Sequence, residues 1–512
     1  MRQLKFIQSA RLSRLAWCAV IGRTDRKVVV HHGPWIEVGE TSFVEGAWSG
    51  SYREMDFPHA TTFTGSGVVL TSDGVLFATP TNSVEPLYVL QGKSELYCSN
   101  SLPLVLSCSA DEIDYDYWHY DVDITLTAFG IKRAIARIPT RRRNWVTIHR
   151  YCNLVLGGDL SLKALAKKRP GSFANYTNYR TFLDEEVSLT IQNSADQRRL
   201  IRYAPISTIS TGYDSVATSV IAKCAGCVDF LTFSTSQDGA NDSGKLIGNL
   251  LGVEVTEFDP TTYRTKNDLP EAEFVATGGG GGSVIFTALE HRLEGKILLT
   301  GHYGAEAWER GNNNGGVNIA SWDSAGTDML YFRTRIGCLH LAVPSIGYSE
   351  YASLQRIANS KEMHPWSLHR DEYDRPIPRR IVEDAGVPRV LFGQDKKFSA
   401  RSLKYCNPSA VDEPELRSVM GATSYVHFCK WAEPIKLRSG RVNRLVFTLM
   451  HKLYRINLRF IRSKKVRAVA GHLRLGLPAA PWVPVRFSKR RTRHRLLFHW
   501  GMEQIRSRHV LD

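Results

Sequence analysis

Residues 203–215 read Tyr203-Ala204-Pro205-Ile206-Ser207-Thr208-Ile209-Ser210-Thr211-Gly212-Tyr213-Asp214-Ser215. Tyr203 to Ile209 has the apolar and β-branched content of a short strand. Val216, Val220, Ile221 and Cys224 then recur at the spacing of one helical face. Strand, polar turn, helix is the unit from which parallel sheets are built, because a parallel neighbour needs a crossover connection.

The same rhythm continues downstream. Val228 to Phe233 reads as a strand, Lys245 to Leu251 as a helix stopped by Gly252, and Val253 to Phe258 as the next strand. Lys296 to Leu299 is a further strand leading into Thr300-Gly301. The region is predicted to be α/β with a parallel sheet. In such sheets ligands sit at the C-terminal ends of the strands, where turns enter helix N-termini. Ser210–Ser215 and Gly301–Glu306 both fall there.

The first of these turns carries chemistry. Small residues, hydroxyls and backbone N–H groups at the mouth of a helix suit a pyrophosphate, which needs close donors and the positive end of a dipole. A carboxylate such as Asp214 belongs beside an anion when a divalent cation bridges the two, and Mg²⁺ favours one or two carboxylates plus phosphates. The plainer reading of the same residues is a helix cap in a strand–helix turn.

Residues 1 to about 170 have a different texture. Gly67-Val68-Val69-Leu70 and Val75-Leu76-Phe77-Ala78 flank Ser72-Asp73-Gly74, a hairpin signal. Pro86 to Leu90 and Glu95 to Ser99 flank Gly92 in the same way. This part is predicted to be antiparallel sheet with packed helices.

A chain of 512 residues, 43% hydrophobic and 23% charged, has the composition of a folded protein of two or three domains. Its net charge of +16 is uneven. From Lys436 to Asp512 lie 20 of the 66 Lys and Arg but only 2 of the 50 acids, Glu503 and Asp512, so the remainder is close to neutral. The basicity therefore reads as an appended surface. Leu445, Leu449, Leu453 and Ile456 with Arg444, Lys452, Arg455 and Arg459 form an amphipathic basic pattern suited to an acidic lipid surface, to RNA or to domain packing. Nine cysteines without regular spacing do not form a disulfide framework, which points to a reducing, cytoplasmic setting. Cys224 and Cys227 make a lone C-x-x-C, read as buried structural thiols. Arg2, Lys5, Arg11 and Arg14 precede an apolar run, Leu15 to Ile21, too short to be a convincing leader or to span a bilayer.

The stretch Ser210–Ser215 resembles the S-G-G-x-D-S pyrophosphate loop of N-type ATP pyrophosphatases, with Thr211 in place of a glycine. Ser234, Asp238, Asp242 and Lys245 ahead of Leu251-Gly252-Val253 resemble the second strand–helix unit of the asparagine synthetase family. Leu298 to Trp308 resembles that family's G-x-G-x-D-E element, with Ala305 at the aspartate and Glu306 retained. Asp328 to Pro344 resembles the E-x-R-x-P region, with Arg333 at the glutamate. Tyr373 to Arg380, Val387-Pro388-Arg389 and Gly393 to Ser399 resemble the C-terminal basic element, with Lys396 first and Lys397 second as the lysine for the phosphates. The N-terminal hairpins resemble the glutaminase-type (Ntn) domain that precedes the synthetase module, but Arg2 stands where that domain has its nucleophilic cysteine and the first cysteine is Cys18, so no glutaminase activity is expected.

The resemblance implies three parts: a degenerate glutaminase-like domain at 1–175, an ATP-pyrophosphatase domain at 176–430 and a basic C-terminal extension at 431–512. It implies an ATP- and Mg²⁺-dependent, AMP-forming carbon–nitrogen ligase that adenylates a small-molecule or glycan-linked carboxylate for attack by an amine or ammonia. Ser210, Thr211, Gly212, Tyr213, Asp214 and Ser215 would hold the nucleotide, Asp214 and Glu306 the metal, and Lys396 or Lys397 the developing charge. His302 would be the base for the amine, with a pKa near neutrality and the Arg333 guanidinium beside it. Two rivals stand beside this: a non-catalytic nucleotide-binding descendant, and a tRNA-modifying ATP pyrophosphatase, although nucleic acid is not the expected partner. Gly278 to Gly282 is expected to be a mobile loop beside the site, with a second phosphate cradle as the other option.

Overall fold

A computed structural model describes residues 2–114, 117, 120–128, 135–310, 326–368, 373–397, 403, 413–438 and 489–509. The amphipathic pattern at 444–459 lies outside the described residues.

The N-terminal region is a sandwich of a seven-stranded and a six-stranded sheet. The expected hairpins are present: Phe63–Thr71 pairs antiparallel with Gly74–Ala78, and Leu87–Gln91 with Glu95–Ser99. Inward-facing Trp17, Val28, Phe43, Val68, Phe77 and Leu154 interleave between the sheets. Cys18 is fully buried on the other face of its strand, among the helices that cover the seven-stranded sheet.

Past the long helix Tyr176–Ser194 comes a separate, wholly parallel five-stranded sheet. Its spatial order is Val255–Phe258, Asp229–Phe233, Ala204–Thr208, Lys296–Thr300, Leu339–Ala342. Ala204–Thr208 is central and pairs on one side with Asp229–Phe233 and on the other with Lys296–Thr300. The chain order therefore reverses beside Ala204–Thr208, which opens a crevice at the C-terminal ends of the two strands flanking the reversal. The helix Tyr213–Cys224 buries Val216, Val220 and Ile221 against one face of this sheet. Gly282–Leu289 and Leu330–Ile336 cover the other.

The two halves meet through buried polar contacts. Arg333 is ion-paired to Glu45 at 2.9 Å and to Glu85, both from the sandwich. Thr64 Oγ1 donates to the His340 carbonyl at 2.5 Å, and the Ser83 hydroxyl is bonded to that of Tyr303. Gly337, in the left-handed region at φ 73°, lies against Trp35, where any side chain would collide.

Three expectations change. Cys224, the last residue of its helix, is exposed, so the apolar face ends at Ile221. Gly278 to Gly282 is a packed turn and not a mobile loop. The Gly278 carbonyl accepts from Thr125 Oγ1, the Gly280 carbonyl accepts from Leu403 N, and a Cβ on Gly279 would press on Asp328. The basic tail is not simply appended either, since Lys489–Arg508 is a helix with Leu497, Phe498, Trp500, Met502 and Ile505 buried against both halves. The helix Ala422–Arg438 runs through position 430. Among the described residues no helix is long and apolar enough to cross a membrane.

Candidate functional site

At the reversal of strand order lies a cleft of about 520 Å³. Ser210, Gly212, Tyr213, Asp214 and Ser215 line one wall, and Gly301 to Glu306 line the facing one. Lys396 and Lys397 close it from a third segment. Residues nearly 190 positions apart thus converge where the sheet's connectivity opens a gap.

The loop's geometry follows from its sequence. Gly212 is the N-cap of the helix, in extended backbone at φ −82° and ψ 160°. The Ser210 and Ser215 hydroxyls bond each other at 2.7 Å, and Gly212 N donates to Ser210 Oγ at 3.1 Å. Facing walls approach closely because Gly301 and Gly304 lack side chains. A Cβ on Gly304 would fall 2.1 Å from the Asp214 carboxyl carbon, and one on Gly301 2.6 Å from the Asp214 carbonyl carbon.

Thr211, the departure from glycine, stands outside the cleft lining. Its hydroxyl donates to Asp242 Oδ1 at 2.5 Å, its N–H to the same oxygen at 3.1 Å, and its carbonyl accepts from Gly393 N at 2.8 Å. Lys397 Nζ donates to Thr211 Oγ1 at 3.3 Å and to the Asn241 carbonyl at 2.9 Å. Thr211 therefore ties the loop to the segment bearing both lysines and is not part of the cleft lining.

Asp214 belongs to an ion-paired cluster. Its Oδ2 is ion-paired to Arg375, which also holds Glu309 Oε2 at 3.1 Å. Its Oδ1 is buried and has no hydrogen-bond partner among the described residues. Burial pushes the carboxyl's pKa up, and the Arg375 guanidinium opposes that shift. The pairing with Arg375 was not foreseen, although Arg375 lies inside the basic block singled out above. Its partner is 161 positions away, and local sequence cannot pair them.

His302 lies in the cleft wall, its Nδ1 3.3 Å from His340 Nε2, which is 2.8 Å from Thr300 Oγ1. The expectation of a near-neutral pKa beside Arg333 is corrected on both counts. Burial lowers the His302 pKa to about 4, and Arg333 is occupied by Glu45 and Glu85. Arg333 acts on His340 instead, reinforcing burial and His302 in holding that imidazole neutral. Glu306 is buried and lines the same cleft as Asp214; burial raises the hydroxyl pKa values of Tyr348 and Tyr351, and the Glu306 charge adds to that shift.

Local sequence did not reveal the apolar floor. Ile209, Leu231, Phe233, Ile285 and Phe286 form it, contributed by the residue after the strand Ala204–Thr208, the strand Asp229–Phe233 and the 3-10 helix Gly282–Leu289. An apolar wall beside a polar helix mouth suits an aromatic ring joined to a polyphosphate. Mg²⁺ fits too: one unpartnered Asp214 oxygen and Glu306 offer the one or two carboxylates that it takes alongside phosphates. Among the described residues no cluster of three His, Cys, Asp or Glu forms a cation cage of its own. No protein-family model matches the chain, and no curated protein matches its sequence.

Proposed function

We propose that the cleft binds ATP and catalyses adenylation of a carboxylate, with an amine or ammonia then attacking the acyl-adenylate to form an amide, as the resemblance to the asparagine synthetase family implies. The supporting observation is convergence: the Ser210–Ser215 loop, Glu306, His302 and both lysines border one crevice at the strand-order reversal. In this reading Ser210, Gly212 and Ser215 cradle the pyrophosphate at the helix mouth, and the apolar floor takes the base. Asp214 and Glu306 would hold Mg²⁺, which supplies positive charge to the phosphates. Lys396 and Lys397 stabilise charge as the pyrophosphate leaves. His302, neutral in the cleft, accepts a proton from the attacking amine. The sandwich is read as a glutaminase-type domain kept as scaffold, and the whole as a cytoplasmic enzyme.

The test is isotope exchange between pyrophosphate and ATP, run with a panel of carboxylic acids and followed by assay for amide product. Acid-dependent exchange supports the reading. A second reading, nucleotide binding without turnover, is favoured by the engagement of Asp214 with Arg375 and by Ala305. ATP binding without exchange across the panel would select it.

A further inference from the structure

Arg375 is the least accounted-for charge in the cleft. It is only 3% exposed on its side chain, yet it lines the cavity. Two of its nitrogens are engaged, one with Asp214 and one with Glu309 at 3.1 Å. Its Nε–H is buried and has no acceptor among the described residues. A guanidinium presents five donors in a fixed plane, and leaving one buried without an acceptor is costly unless something accepts from it. Both carboxylates hold the plane in place, and the Tyr373 ring lies under it at 5.0 Å. Next to it are the mouth of a twelve-residue helix and the lysine pair.

Resting on the nucleotide reading above, we infer that Arg375 is a polyphosphate-binding residue of this cleft, using its unpartnered Nε–H on a phosphate oxygen while Asp214 and Glu309 each hold one of its terminal nitrogens. The arrangement also resolves an electrostatic difficulty. Asp214 stands in the first turn of the helix where a triphosphate would arrive, and like charges brought together there would repel. Arg375 offsets the Asp214 charge while sharing its guanidinium with Glu309, and it leaves one donor for the ligand. Arginine suits this role better than lysine, because one planar fork can satisfy two carboxylates and a phosphate together.

The experiment measures binding by calorimetry for the full chain, with pyrophosphate, ATP and AMP as probes in the presence of Mg²⁺. For Arg375→Gln, affinity for pyrophosphate and ATP falls about 10- to 100-fold, the usual worth of a charge-assisted bond, while AMP affinity holds. Arg375→Lys lies between Gln and wild type, and it serves alone if the Gln variant does not fold. Unchanged or tighter pyrophosphate binding in the variants overturns the inference, tighter binding marking Arg375 as a lock on Asp214. An equal fall for all three probes also overturns it, because Arg375 would then be only a structural strut. If wild-type protein binds neither ATP nor pyrophosphate, the nucleotide reading fails with it. If wild type binds both and the variants match it, only the role of Arg375 fails.

Discussion

Asp214 has one oxygen ion-paired to Arg375 and the other without a partner among the described residues. Its side chain is 20% exposed, so its burial is more than slight, and replacing it has a structural cost. Asp214→Asn is expected to abolish pyrophosphate exchange. It should also lower stability by about 1–3 kcal/mol, because Arg375 keeps only Glu309. A urea titration beside the exchange assay checks both parts. His302 gives a pH signature of definite sign. With its folded pKa near 4 and an unfolded value near 6.5, the unfolded state takes up the proton first as pH falls. Its contribution is fully present above about pH 6.5 and is lost as pH falls toward 4. His302→Gln should therefore show a shallower drop in melting temperature than wild type between pH 7 and about 4.5. Parallel curves would mean that His302 titrates normally.

Elements differ in how much of them was legible. The hairpins were readable because Asp73-Gly74 turn chemistry and alternating strands are local. The parallel strands were readable from their flanking turns, and with them the place of the cleft. Gly278–Gly282 was misread because a glycine run has the same composition whether it is free or wedged, and its wedges are Asp121, Asp328 and Leu403, all distant in sequence. Arg333 was misplaced for the same reason, its carboxylates lying 288 and 248 positions away. At this scale the sharpest test sets two glycines against each other. Gly304→Ala would push a methyl into the Asp214 carboxyl, costing about 1–3 kcal/mol and weakening ATP binding well beyond that loss. Gly252→Ala meets nothing within 4 Å but sits at φ 67°, so it should cost about 1 kcal/mol and leave ATP binding unchanged. Thermal melts and nucleotide titration of both variants decide it.

Taken as a whole, the chain is bound together by its last described helix. Trp500 is fully buried and donates to His427 Nδ1 at 2.9 Å, while Phe498 on the same helix stacks on Tyr120. Trp500→Ala is expected to cost about 3–5 kcal/mol, measured by chemical denaturation, although it lies outside the cleft lining. A second tie runs through the cleft wall itself. Tyr303 follows His302 in the left-handed region at φ 72°, a conformation that costs a non-glycine residue of order 1 kcal/mol or more. The bond from its hydroxyl goes to Ser83, in the sandwich. The backbone bend that sets His302 and Glu306 on the wall is therefore held from the other half of the chain. The parallel-sheet half is not a portable module: expressed alone or grafted behind a foreign partner, it would keep its strands and lose the set of its wall.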